Sequence, residues 1–455
     1  MSFDKYIDRA SGKKPERTNG HANGQGGEKK NGDRRFVLPS VFYDAPKRAF
    51  WAQNQRKEWI EYPATHIRLL LKQAGIPEAM KDGEPMTPLE SHFLRIRQEN
   101  DVQWAGPLAG YQPGIHEMCG TRLLVTQGPK IIKGAKGDWQ KLKTLMSELL
   151  GEQVEYLWGW LKSALIALRA GRPFRPGQAL AIAGPAGCGK SLLQGLLTEI
   201  LGGRSAKPYR YLSGETPFNG ELFWAEHLMI EDEAASTDIR TRRHFGSQLK
   251  NLIANEIHSF HQKGRQAMTA APFWRVTITL NDEAENLMVL PPFDESMRDK
   301  IILLKAFHAT MPFETDHLSE RRQFREALTA ELPAFVHWLQ NWRLPGKMTD
   351  KRYGVRAWQN PELLQELESL QPEFRLLELI DTLGIWENGV NVWRGTASEL
   401  RSELEQKDRR GEVSRLLSFN TAAGVYLSRL KKHFPQRIEQ KRGGNNLNLW
   451  EIHRQ

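Results

Sequence analysis

Gly184-Pro185-Ala186-Gly187-Cys188-Gly189-Lys190-Ser191 reads as a complete Walker A phosphate loop, and its flanks have the form such a loop needs. Gln178 to Ala183 (QALAIA) is an apolar run of strand length. Beyond the loop, Leu192, Leu193, Leu196, Leu197, Ile200 and Leu201 fall on one helical face, and Gly202-Gly203 ends the helix. The glycines let backbone N–H groups close around phosphate oxygens at a helix N-terminus, where the dipole favours anions. In such a loop Lys190 reaches the β- and γ-phosphates and the Ser191 hydroxyl sits on Mg²⁺. The expected ligand is a nucleoside triphosphate, ATP with Mg²⁺. The alternative, a glycine-rich turn with a chance lysine, leaves the strand and helix in register unexplained.

A second signal follows about 40 residues on. His227-Leu-Met-Ile230 is a short strand ending in Glu231-Asp232-Glu233-Ala234, acids at a strand tip in the Walker B manner. One carboxylate of such a pair holds Mg²⁺ through its waters and the next polarises the attacking water. Asp232 is assigned to the metal and Glu233 to the water, with Glu231 the competitor for the latter role. Phe273 to Leu280 (FWRVTITL) is a further strand, terminating in Asn281-Asp282. A polar side chain at the end of a strand lying between the two Walker strands can sense the γ-phosphate and orient water, and Asn281 is the candidate. Between these strands, His258-Ser-Phe-His-Gln-Lys-Gly-Arg265 is a basic, aromatic-interleaved turn. It reads either as an ordinary surface hairpin or as a loop whose His261, Lys263 and Arg265 grip phosphates in a channel, with Phe260 packed beneath.

Composition fits a nucleic-acid partner. The net charge of +10 favours an anionic partner, nucleic acid before membrane, although solubility alone also accounts for it. Hydrophobic content of 40% with 14 tryptophans supports real cores over 455 residues, a length of two to four domains. Only Cys119 and Cys188 occur, the second inside the phosphate loop. Both read as free thiols of a reducing compartment, which excludes a disulfide framework or a zinc site. With no secretory segment and no apolar run near 18 residues, the chain reads as cytoplasmic, with no membrane partner.

Along the chain, residues 1–35 are rich in Gly, Asn, Lys and Glu and read as a disordered basic tail. Residues 36–133 read as a small α+β accessory unit, with strands around Val41–Tyr43, Ala49–Trp51 and Trp59–Tyr62 and helices His66–Ala74 and Leu89–Gln98. Their aromatics are assigned to a core. Residues 134–171 form a helical collar, with Asp138 to Ala170 helical, and 172–344 the nucleotide-binding core. Residues 345–371 read as a linker with one short helix. Over 372–455, helices Phe374–Ile385, Thr396–Gln406 and Thr421–Phe434 precede strands Gln436–Gln440 and Asn446–Ile452 with a Gly443-Gly444 tip. Three helices and a hairpin spell a winged helix. From Asn420 onward seven Lys/Arg face two Glu, and Lys431, Lys432, Lys441 and Arg442 are the candidate DNA contacts on its recognition helix and wing. A purely protein-binding winged helix is the alternative.

Walker A, an acidic Walker B, a basic hairpin and a strand ending in Asn follow in this order within about a hundred residues. That order resembles the superfamily 3 helicases, a branch of the AAA+ ATPases, and specifically phage and plasmid primase–helicase proteins. Their pattern places a hairpin lysine about 18 positions before the sensor Asn, and Lys263 stands 18 before Asn281. Gly137-Asp138-Trp139, Leu149-Leu150-Gly151 and Trp158-Gly-Trp-Leu161 also look like the region preceding the ATPase in that family; the likeness spans Leu108 to Phe307. The resemblance implies an α/β fold: a P-loop AAA+ core with the small α+β N-terminal unit, the helical collar and a C-terminal winged helix. It implies a ring, as a rule a homo-hexamer, moving single-stranded and forked DNA and hydrolysing ATP between subunits. A neighbour's arginine completes each site, and Arg298 is the candidate.

Two departures limit the carry-over. Arg298-Asp299-Lys300 precedes Ile301–Leu304 where the family often has an Arg-Arg pair. No primase palm is legible before Gly134, so primer synthesis is not assigned and a separate primase is a candidate partner. The expected function is therefore an ATP-driven DNA helicase of mobile-element replication. The rivals are an AAA+ initiator or loader, and a nucleotide-switched DNA-binding regulator, against which Asp232-Glu233 argues.

Overall fold

Ala179–Ala183 is buried at every residue because it runs through the middle of a five-stranded parallel sheet. The structure is a computed structural model describing residues 40–80, 82–170, 176–231, 239–264, 267–309, 317–369, 371–386, 390–442 and 448–454. The 1–35 tail, Asp232, Glu233 and Arg265 fall outside these residues. The strand order is Ile301–Lys305, Ala179–Ala183, Arg275–Leu280, His227–Glu231 and Ser205–Ala206, every neighbouring pair parallel. Sheets of this kind are covered on both faces, which is why ALAIA and IILL read as unbroken apolar runs. The strand ending in Asn281 lies between the glycine-loop strand and the acidic strand, the position the sequence reading gave it.

Alternation along the strands feeds two cores. Leu180, Ile182, Ile302 and Leu304 face the helices Gln140–Leu150, Val154–Arg169, Lys190–Ile200 and Leu318–Asn341. Ala179, Ala181, Ala183, Ile301 and Leu303 face the other layer, which holds the helix Ile239–Ala254 through Phe245 and Leu249. The expected single helical stretch over 138–170 is in fact two helices. Gly151, at φ +56°, ends the first, and the 3₁₀ turn Gly151–Gln153 redirects the chain. Trp139 opens this region and packs on Trp338 and Trp158 at centroid distances of 4.5 and 6.1 Å.

Near the N-terminus, strands Val41–Asp44, Ala49–Gln53, Trp59–Tyr62 and Asp101–Val102 form one sheet, covered by Ala64–Gln73 and Pro88–Glu99. Phe50 and Phe93 are buried in its core, in accord with the reading of these aromatics as core. The next sheet, Trp104–Gly106, Thr121–Val125 and Gly114–Met118, packs Trp104, Leu123 and Val125 into the core of the central sheet. A buried ion pair, Arg204 with Glu226, sits on this seam. Glu226 also accepts from the Gly110 N–H (2.8 Å), and Arg204 donates to the Leu108 and Gln127 carbonyls. Residues 345–371 include a two-stranded turn and the helix Pro361–Ser369, whose Leu363 and Leu367, four apart, are buried against the central layer.

The C-terminal unit has its own core. Helices Pro372–Leu383, Ala397–Lys407, Glu412–Leu416 and Ala422–His433 pack on an antiparallel sheet of Val392–Gly395, Asn448–His453 and Ile438–Arg442. The short helix Glu412–Leu416 and the strand Val392–Gly395 are additions to the sequence reading. Among the described residues no helix is long and apolar enough to cross a membrane.

A buried polar network ties the helix after the glycine-rich loop to the sheet. Gln194 donates to Thr277 Oγ1 (2.6 Å) and accepts from Thr279 (3.1 Å). His227 bridges Thr198 and Thr277 at 2.7 and 2.8 Å. Complete burial pushes its pKa down to about 3 from the usual 6.5, so the folded chain keeps the ring neutral. Below pH 6.5 the unfolded chain binds a proton that the folded one refuses. Stability is therefore full above that pH and falls as pH drops from 6.5 toward 3. In urea titrations at stepped pH, wild type should lose stability across this window more steeply than His227→Gln. The difference expected is one proton, about 1.4 kcal/mol per pH unit; equal slopes would assign the acid sensitivity to other groups.

Candidate active site

Backbone geometry shapes the glycine-rich loop. Gly184 lies against Ala306, whose carbonyl oxygen would be 2.5 Å from any added Cβ. Gly187 and Gly189 hold φ of +75° and +110°, the left-handed region that glycine enters freely. Gly189 then caps Lys190–Ile200, so the loop empties into a helix N-terminus. Ser191, in the first turn, is exposed.

Lys190 is nearly buried, and its ammonium donates to the carbonyls of Gly184 and Pro185, both at 2.7 Å, and to Asn281 Oδ1 at 3.1 Å. All three acceptors are uncharged. Residues 91 positions apart thus meet where the two central strands end. Close by, the Glu283 carboxyl is held below its usual range, chiefly by its own backbone N–H and by Asn286, with added attraction from Lys190. The acidic strand ends beside the strand that leads to Asn281, Glu231 opposite Thr279. The Glu231 carboxylate lies 3.4 Å from Lys207 Nζ. Asp232 and Glu233, the preferred pair, lie outside the described residues.

Arg298 stands elsewhere. It ends the short helix Glu295–Arg298, before the strand whose Ile301 pairs with Ala179 and whose Lys305 pairs with Ala183. It therefore lies at the opposite end of the sheet from its own glycine-rich loop, about 16 Å away along the strand at ~3.3 Å per residue. Its guanidinium pairs with Glu368 at 2.7 Å.

The basic turn is a hairpin, His258–Phe260 against Met268–Ala270. Phe260 is buried beneath it on Phe223 and Trp104. Lys263 is exposed at the turn, next to Gly264 at φ +77°, and Arg265 lies outside the described residues. Asn219 braces the hairpin: its amide donates to Ser259 O (2.8 Å) and accepts from the His261 N–H (2.8 Å). Beside it, Phe218, more than a third exposed, packs on the His261 ring at 5.1 Å.

In the C-terminal unit, Lys431 and Lys432 lie in the last turn of Ala422–His433. Lys441 is paired with Glu451 at 2.6 Å, while Arg442 is exposed.

Comparison with known proteins bears on the fold. Residues 182–298 match the model of a family described as a family of unknown function (DUF5906). No curated protein matches the chain. The apo A form of the NrS-1 C-terminal region superposes over 92% of this chain and 97% of that one, with a TM-score of 0.55 and 12% identity. The chain shares that fold. Structures titled as helicases are also similar, more loosely. SCCmec type IV Cch, titled an active helicase, has a TM-score of 0.33 and 11% identity over 88% of this chain and 73% of that one. The JCV helicase has 0.26 and 15% over 53% and 63%.

Several residues at the site escaped the sequence reading. Lys305 closes the edge strand next to the start of the loop, its ammonium paired with Glu362. That pair, first, and the attraction of Glu366 and Asp282 hold its pKa above the usual lysine range. The signal was available: a lone lysine ending an apolar run, IILLK. Phe218 and Asn219 carry no local signal, since their partners lie about 40 residues away.

Proposed function

We propose that this chain is an ATP-dependent DNA helicase or translocase of the superfamily 3 kind, working as a homo-hexameric ring. The observation that carries the reading is the meeting of Lys190 with Asn281 at the head of a parallel sheet. One side chain suits phosphate charge, and the other suits sensing whether the terminal phosphate is present.

The loop fits a triphosphate. It has left-handed glycines, a backbone too close to Ala306 for any side chain at Gly184, and an ammonium hydrogen-bonded only to neutral groups. Lys190 would exchange those neutral partners for phosphate oxygens. Ser191 and Asp232 would hold Mg²⁺, which when bound neutralises charge on the β- and γ-phosphates. Glu233 orients the attacking water and accepts its proton, while Asn281 fixes the water and the γ-phosphate in line. Arg298 is too far to serve its own loop and is suited to a neighbour's.

The hairpin supplies the coupling to DNA. A lysine on an exposed loop can grip phosphates without reading bases. Lys263→Ala should leave basal ATP hydrolysis and duplex binding nearly intact, while single-strand stimulation of hydrolysis and unwinding of a forked DNA are lost together. Normal unwinding by this variant would reduce Lys263 to a surface charge. For the wild type, single-strand-stimulated hydrolysis without strand separation would mark a loader instead, and no turnover at all a nucleotide-switched regulator.

A further inference from the structure

Several cations of the C-terminal unit are held in ion pairs, while Lys431, Lys432 and Arg442 make none among the described residues. Arg429 pairs with Glu373 (3.2 Å), Arg437 with Asp381, Arg394 with Glu451 (2.8 Å), and Lys441 with Glu451. These cations are paired within the unit, including the wing lysine that the sequence nominates for DNA, which shares Glu451 with Arg394 and has Glu439 at 4.0 Å. The turn joining Ala397–Lys407 to Ala422–His433 gathers three more cations close together. Arg409, Arg410 and Arg415 are all exposed there, and among the described residues none of them meets a carboxylate.

The backbone of the turn is pinned, and so is the Arg415 side chain. Asp408 accepts from the N–H groups of Arg410 (2.9 Å) and Val413 (2.7 Å). The Val413 bond above all keeps its carboxyl below the usual range, so its charge is directed at the backbone. Gly411 takes a left-handed φ of +67° at the bend. Arg415 then donates to the carbonyls of Gly411 (3.1 Å) and Arg410 (2.7 Å), which sets its guanidinium beside the Arg410 backbone. Glu412, the other acid of the turn, is engaged by Arg375. Ser414, Ser418 and Asn420 are exposed along the same segment and add neutral donors.

We propose that the turn 408–420 is the principal phosphate-binding edge of the C-terminal unit and lies across the backbone of duplex DNA, with Arg409, Arg410 and Arg415 each neutralising a phosphate. This rests on the reading of that unit as DNA-binding. The partner is nucleic acid because three exposed guanidiniums on one short turn, that of Arg415 fixed by two carbonyls, with interspersed hydroxyls match a row of phosphates, to which arginine binds in bidentate fashion.

The test uses the full chain without nucleotide and a blunt, fluorescein-labelled duplex of arbitrary sequence. Affinity is measured over a series of KCl concentrations. Neutralising one phosphate contributes about 0.9 to the slope of log K against log salt. The triple variant Arg409→Gln, Arg410→Gln, Arg415→Gln should lower the slope by between two and three and weaken binding at least tenfold, with an unchanged thermal unfolding midpoint. Lys441→Gln with Arg442→Gln should lower it by about one at most. A triple variant with wild-type slope overturns the inference, and loss of binding only in the Lys441/Arg442 variant does so while leaving the unit a DNA binder. If wild type ignores the duplex, the DNA reading of the unit falls first. Polyglutamate competing as well as unlabelled duplex would overturn the choice of nucleic acid.

Discussion

Lys190→Ala loses tight ATP binding. Its ammonium donates to three neutral oxygens and, more weakly, to Cys188 Sγ at 3.9 Å, and a triphosphate would replace these with charge-assisted bonds. A hydrogen bond to a charged group contributes about 1.5–3 kcal/mol. Two such bonds to phosphate oxygens correspond to a Kd higher by about 10²- to 10⁴-fold. Titration with a fluorescent ATP analogue measures this directly. Lys190→Met, which keeps the aliphatic stem packed, separates loss of charge from any loosening of the loop. Affinity within threefold of wild type for both variants would remove Lys190 from the phosphate site.

Arg298→Ala should bind ATP normally yet hydrolyse it at least about 10³-fold more slowly, the effect expected of an arginine that acts only on the transition state. The distance is the reason to expect a defect in trans. Arg298 precedes the strand residue paired with Ala179, whereas the loop begins beyond Ala183. Its bond to Glu368 lies at the surface and contributes at most about 1 kcal/mol, so folding should be unaffected. Mixing Arg298→Ala with Lys190→Ala should restore part of the activity. An intact loop from the first variant then meets an intact arginine from the second, although neither hydrolyses alone. No recovery on mixing, together with a monomer in the ultracentrifuge under ATP, would refute the ring.

The strand, loop and helix around Lys190 were legible because their signals are local: an apolar run, glycines at the turn, leucines at helical spacing. Asn281 was legible through its place at a strand end, and the order of strands in the sheet bears on it directly. The break at Gly151 was not. Leu149, Leu150, Val154 and Leu157 keep a helical rhythm across it, and a glycine inside such a rhythm is ambiguous until its φ is known. The segment 345–371 read as a linker with one short helix, and the helix Pro361–Ser369 is there; its docking on the central layer through Leu363 and Leu367 was not legible. Charge was the least legible property. Counting cations nominated Lys441 for DNA, but its pairing with Glu451 depends on strand register, and that of Arg429 with Glu373 on helix packing across 56 residues. The Arg204–Glu226 pair is invisible for the same reason: neither residue indicates in sequence that the other is near.

Trp139, Trp158, Trp338 and Trp342 form a chain of indoles with neighbouring centroids 4.5 to 6.1 Å apart. Indoles this close share their excitation, so the group should give a circular dichroism couplet from the strong far-ultraviolet indole band and a distinct near-ultraviolet signal. It spans the helix Val154–Arg169 and the long helix Leu318–Asn341. The chain thus carries an unlabelled optical gauge of whether those helices stay docked on the sheet, one that can be watched while ATP or DNA is added.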